Sequence, residues 1–312
     1  GENRPIGGFI SMFGLKNYNF DKEKAPCYKP AVSFSYSMIS VIAVTFIAAI
    51  IRKIANFDDG NLLVYASGFF LISLALFSGS LLTVKINALK FSDVTKFKFS
   101  PKFIAVIVLT LFGTVFGFGK LNDYFVAFLE KFGYVPDAIT LPEKSALSVI
   151  VSVLFIAVIP AITEEFLFRG LILKASKYFG NVFAVIISAL AFSLYHMSPA
   201  QTIYQFVIGV VYGFVALGAN SVLPTMILHF LNNFLIIAFH YFYPTFAISF
   251  AVGIILMIAG VAAVSIGLFI ALKGFDFKKS PKREKKEKAE YFMLVSPGFF
   301  ICLVMWILQL FV

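Results

Sequence analysis

Nine long apolar runs divide the chain, and no other feature of the sequence constrains its fold as much. They cover residues 31–51, 62–84, 103–119, 146–168 or somewhat beyond, 181–197, 199–218, 222–242, 246–272 and 294–312. About 20 consecutive apolar residues in a helix cross the ~30 Å hydrocarbon core of a bilayer. The runs are continuous rather than alternating, which excludes a membrane β-barrel. The expected fold is all-α, a polytopic transmembrane helical bundle of about eight to nine spans.

Composition agrees. Hydrophobic residues make up 60% of the chain and charged ones only 13%, about half of what a water-soluble surface requires. The net charge of +10 does not point to nucleic acid, because nearly all 26 Lys and Arg sit in the breaks between apolar runs. With the N-terminus placed in the cytoplasm, 21 basic residues fall on that side and five (Arg52, Lys53, Lys120, Lys131 and Lys144) on the other. That asymmetry predicts a multi-pass protein of the cell membrane with a cytoplasmic N-terminus.

The breaks also set the expected organisation. Residues 1–30 are a polar cytoplasmic segment that begins with Gly1 and lacks the apolar core of a signal peptide. Residues 31–145 hold three spans and an external segment, 121–145, whose balanced charge and helical apolar spacing predict an interfacial position. Residues 146–245 form the candidate catalytic core. Residues 246–312 add two spans around a basic cytoplasmic loop, 273–292, whose run KKSPKREKKEKAE reads as a solvated topology signal rather than a lipid-binding site. Cys27 and Cys302 lack the spacing of a disulfide framework or thiolate metal site.

Polar residues inside the apolar runs are few. An ionised group at bilayer depth costs roughly 2.5–3.5 kcal/mol even on insertion scales, so each one calls for a reason. Glu164 and Glu165 are the only acidic residues within the runs, with Arg169 close behind in TEEFLFRG. All three histidines of the chain, His196, His229 and His240, lie in or at the end of a run, and Asn232 and Asn233 share the last of these.

Spacing sorts them. Glu165 and Arg169 are four apart, on one helix face, as a structural ion pair would be. Glu164 points about 100° away and lacks that partner. His229 and Asn233 also share a face. Pro160, four before Glu164, should distort the helix and make room for water. Glu164 and His196 are each sixteen residues from Gly180, or ~24 Å along the two arms of a hairpin, and so lie at one level. Asn232 reads as a helix–helix hydrogen bonder, His240 as an interfacial residue and Phe192 as packing.

A carboxylate and an imidazole converging on a water can take its proton as it attacks a carbonyl. A second imidazole and an amide N–H can stabilise the resulting oxyanion. The same Glu164, His196 and His229 are also a possible zinc set, although HExxH is absent.

EExxxR (Glu164, Glu165, Arg169), FxxxH (Phe192, His196) and HxxxN (His229, Asn233), in that order and each on its own apolar run, resemble the three motifs of the CPBP family. That family includes the type II CAAX prenyl endopeptidases and the bacteriocin-processing and immunity-type membrane proteases. The resemblance spans roughly residues 147–239. It implies an intramembrane protease acting on a membrane-associated or prenylated peptide. Glu164 would be the general base, His196 would help to hold the water, and His229 with Asn233 would form the oxyanion site. Glu165, Arg169 and Phe192 would shape the pocket. No metal is favoured, with a divalent ion such as zinc the alternative. The cavity is expected to open to the cytoplasm. Two other classes stay open on the residues alone: a non-catalytic scaffold or immunity-type peptide-binding protein, and, less favoured for want of a second Glu motif, a transporter.

Overall fold

The computed structural model describes residues 28–55, 62–87, 95–98, 100–136, 141–177, 180–243, 248–275 and 296–311. The N-terminal segment, Cys27 and most of the basic 273–292 loop lie outside these. In lipid a backbone must satisfy its own hydrogen bonds, and the described residues accordingly form nine helices and no strand. These are α1 (Tyr28–Ala55), α2 (Leu62–Asn87), α3 (Pro101–Glu130), α4 (Ala146–Ser176), α5 (Asn181–Tyr195), α6 (Thr202–Ala219), α7 (Leu223–Phe242), α8 (Phe250–Leu272) and α9 (Pro297–Leu308). Seven are long and apolar enough to cross a membrane, whereas α5 and α9 are shorter apolar helices. The chain is an all-α, multi-pass membrane protein.

One expectation is corrected. The third span does not stop near Gly119; the helix runs on to Glu130. The charges that suggested an end there are absorbed by helical pairing, with Lys120 Nζ 2.8 Å from Asp123 Oδ2. The chain turns only at Gly133, whose φ of 91° suits a residue without Cβ. The helical spacing read after residue 121 is therefore the tail of α3. At 30 residues, ~45 Å, α3 outreaches a ~30 Å core.

Packing is that of a membrane bundle, with small residues inward and bulky ones outward. On α8, Gly253, Gly260 and Gly267 recur every seven residues and are buried, while Phe250, Ile255, Ile258 and Phe269 are each at least 64% exposed. Water would penalise that outer face; lipid does not. The inner face meets Gly113 and Gly117 of α3 so closely that a Cβ on Gly260 would lie 2.6 Å from the Gly117 Cα. On α1, Ser33 and Ser37 lie one turn apart and donate to the Gly79 and Leu76 carbonyls of α2 at 2.6 and 3.1 Å. Between them Ser35 accepts from the Gly298 N–H of α9 at 3.0 Å.

The bundle has two distinct ends. At one, the C-terminal turns of α4 and α6 and the start of α7 line a common recess through Lys174, Lys177, Leu217 and Asn220, and Gly218 abuts Ala271 near the end of α8. Its described charges include Lys102, Lys174, Lys177 and Lys273; we call it the basic face. At the other, Asn122 of α3 meets the α5–α6 connection, Tyr241 of α7 donates to Pro142 before α4, and Lys144 lies over the Phe242 ring. Here lysines mix with Asp123, Glu130 and Glu143.

Candidate active site

α4 carries the two glutamates and is not a uniform α-helix. Val153–Val158 and Phe166–Leu173 wind as π-helix on either side of the α-turns Ile159–Glu165. The distortion expected at Pro160 takes this form, since the first π segment ends two residues before the proline and wider turns accommodate its missing N–H. Functional positions are a frequent setting for such turns.

Glu164 and Glu165 are both buried, at 7% and 0% exposure, yet their surroundings differ. Glu165 Oε1 accepts from Arg169 Nη1 at 2.8 Å, the expected i,i+4 pair. The same oxygen meets His229 Nδ1 of α7 at 2.9 Å. Because Glu165 Oε1 already accepts from Arg169, the proton shared with His229 belongs on Nδ1; in that tautomer Nε2 keeps a lone pair. That Nε2 faces Glu164 Oε2 at 3.9 Å. Among the described residues, Glu164 Oε2 has no hydrogen-bond partner.

Two acceptors thus face each other across a gap too long for a direct bond and of the right length for a shared donor. Tyr195, the last residue of α5, lies close enough to Glu164 for the two to interact electrostatically. The Arg169 guanidinium lies 4.2 Å from the Phe192 ring centroid and 5.7 Å from that of Tyr212, a cation–π sandwich for a buried charge. Phe192 packs edge-on against both motif histidines, at 5.0 Å from His196 and 5.9 Å from His229.

His196 sits just past the end of α5, partly exposed, with Nδ1 2.8 Å from the Phe192 carbonyl. A carbonyl can only accept, so Nδ1 carries the proton and Nε2 is available as an acceptor. Tyr195, which interacts electrostatically with Glu164, immediately precedes His196. Asn233 Nδ2 donates to the Ile156 carbonyl in the first π segment at 2.9 Å. Its Oδ1 accepts from Asn232 Nδ2 at 3.3 Å, and Asn232 Oδ1 accepts from the Tyr204 hydroxyl of α6 at 2.6 Å. Because Ile156 O can only accept, it fixes the direction of every bond in that chain.

The structure therefore gathers Glu164, Glu165, Arg169, Phe192 and His229 around one point, with His196 and Asn233 at its rim. Asn232 bridges helices as expected. His240 is exposed at the end of α7 and stands apart. Tyr195, Tyr204 and Tyr212 were not singled out from the sequence, where a tyrosine in an aromatic-rich helix carries no signal of its own. As a metal set the residues fit poorly: among the described residues, no three His, Cys, Asp or Glu side chains converge as ligands would.

This arrangement occupies α4 to α7, and residues 146–235 match the family model of the Rce1-like type II CAAX prenyl endopeptidases. Residues 146–235 thus resemble an Rce1-like domain. Comparisons with curated proteins and with solved structures give no match. The Rce1-like family is a protease family.

Proposed function

We propose that the chain is an intramembrane endopeptidase that hydrolyses a peptide bond of a membrane-associated substrate with a water activated by Glu164. The observation that carries this reading is that Glu164 Oε2, without a hydrogen-bond partner among the described residues, faces His229 Nε2 at 3.9 Å. A water donating one hydrogen to each has its own lone pair free to attack a carbonyl carbon. As the C–O bond forms, Glu164 takes the water's proton and the carbonyl becomes an oxyanion. Collapse breaks the C–N bond, and Glu164 returns the proton to the leaving amine.

His229 accepts the water's second hydrogen at Nε2; once that proton passes to the ring it can be donated to the oxyanion, with Glu165 on Nδ1 stabilising the imidazolium, as a carboxylate does behind a catalytic histidine. The second hydrogen of the Asn233 amide, not used on Ile156, is a further donor. His196 offers Nε2 at the rim to orient the water or the substrate amide. No step requires a metal. Lipid-anchored, including prenylated, peptides are the substrate class the family suggests.

The test is cleavage of membrane-tethered and prenylated peptides by purified protein in detergent, beside Glu164→Ala, each with and without a strong chelator. Cleavage retained with chelator and lost in the variant is expected. Loss on chelation would replace the mechanism with a metal-dependent one. A variant as active as the native protein would remove Glu164 from it.

A further inference from the structure

No step of the proposed hydrolysis uses the recess on the basic face. It measures about 350 Å³ and lies between the end of α4 and the start of α7, where Arg169, Lys174, Lys177, Asn220, Ser221 and Val222 help to line it. Among the described residues, no acidic side chain lines it. Arg169 supplies the observation that calls for a ligand. Its side chain is buried, at 2% exposure, and Nη1 donates to Glu165. Nε and Nη2 have no hydrogen-bond partner among the described residues. These two nitrogens form the side of a guanidinium whose parallel N–H groups match two oxygens of one oxyanion. The nearby Phe192 and Tyr212 rings ease the charge but leave both donors unmet. Buried donors without an acceptor are costly.

Two further features face the same space. Lys174 and Lys177, one turn apart, stand at the recess, the first exposed and the second half-buried. Burial and the neighbouring Lys174 charge hold Lys177 below the ordinary lysine range, a repulsion that an anion between them would relieve. The second feature is the start of α7, a helix of 20 residues whose positive dipole end abuts the recess at Val222. Ser221, just before it, accepts from the Leu223 N–H and keeps its own O–H to donate.

We propose that the recess binds one phosphate-class oxyanion, carried by an anionic lipid headgroup or free in solution, with the Nε–Nη2 side of Arg169 as its inner ligand and Lys174 and Lys177 at its mouth. Helix ends lie at headgroup depth, where basic pockets between membrane helices take up such groups. The anion and Glu165 then hold different sides of one guanidinium. Occupancy therefore braces the Arg169–Glu165–His229 chain from behind. The site stands on packing and charge and does not depend on the endopeptidase reading.

Native mass spectrometry of the purified full chain in detergent tests this, with phosphatidic acid, phosphatidylcholine and inorganic phosphate as probes. One phosphatidic acid or one phosphate is expected per chain, with phosphatidylcholine at least ~10-fold weaker. Competition between the first two places both on one site, and retention of only one of them names the source. Lys174→Ala/Lys177→Ala should weaken binding ~10-fold or more, whereas Lys102→Ala/Lys273→Ala, on the same face but outside the recess, should leave it unchanged. Glu165→Ala/Arg169→Met removes the inner cation without stranding a charge and should weaken binding as well. Equal weakening by the two lysine pairs would reduce the site to diffuse attraction and overturn the proposal. Native affinity in the Arg169 variant would overturn it too, as would phosphatidylcholine binding as tightly as phosphatidic acid with no phosphate bound. Binding requires no turnover, so absent peptide cleavage would count against the endopeptidase reading and leave the anion site standing.

Discussion

Glu165 Oε1 lies 2.9 Å from His229 Nδ1 while accepting from Arg169 at 2.8 Å, so one oxygen ties the α4 motif to the α7 motif. Among the described residues each glutamate has an Oε2 without a hydrogen-bond partner, but that of Glu164 faces His229 Nε2 at 3.9 Å. One carboxylate is structural in its bonding and the other is poised, and substitutions should separate the two.

Glu164→Gln preserves shape and removes the base. Cleavage is expected to fall at least ~100-fold, within the range of general-base contributions, while the thermal unfolding midpoint in detergent stays within a degree or two. A large fall in the midpoint would show Glu164 to be a packing residue instead.

Glu165→Ala should do the opposite first. It strands the fully buried Arg169 guanidinium, and breaking a buried pair in this way costs about 3–5 kcal/mol. The expected sign is a clear drop in the unfolding midpoint, with the double variant Glu165→Ala/Arg169→Met recovering stability but not activity. Recovery of both would mean that Glu165 does nothing for His229.

Tyr204→Phe deletes the hydroxyl that starts the chain Tyr204–Asn232–Asn233–Ile156 and leaves the ring. With Asn232 no longer oriented, the Asn233 amide is free to rotate, and kcat should fall about 10-fold with KM little changed. Asn232→Asp, which cannot donate to Asn233 Oδ1, should cost more. Native kcat in both variants would show that Ile156 alone orients Asn233.

Gly260→Val places a branched side chain where α3 and α8 touch backbone to backbone. Because a backbone cannot rotate away, the cost should reach or exceed the ~3 kcal/mol upper range of overpacking. Loss of folded protein on size-exclusion chromatography in detergent, with Gly260→Ala intermediate, is the readout. An unaltered profile would show that the helices can separate.

Much of this was legible in the sequence. The nine helices fall on the nine apolar runs, because lipid leaves the backbone no other economical state, and the Glu165–Arg169 pair follows from i,i+4 geometry. The polar motif residues stood out because polarity is rare in these runs. Less visible was anything decided by wider winding or by aromatic context. The π turns around Glu164 change which side chains share a face, and no residue pattern announces them. Nothing marks Tyr195 or Tyr204 apart from the many aromatics that meet lipid. The charges after Gly119 suggest a boundary there, yet Lys120 and Asp123 satisfy each other on a helix that continues to Glu130.

The tail of α3 bears on how far the matched segment can stand alone. Asn122 donates to the Ala200 carbonyl and accepts from the Tyr204 N–H, and the Tyr134 hydroxyl receives the Ala200 N–H. On the far side, Trp306 donates to Thr202. The connection that follows His196 is thus anchored by residues from both outside flanks of 146–235. The motif-bearing region is not a portable cassette. Transplanted without its neighbours it would keep every signature residue and lose the scaffold that sets one of them in place, so the unmarked thirds of the chain inherit a constraint their own letters do not display.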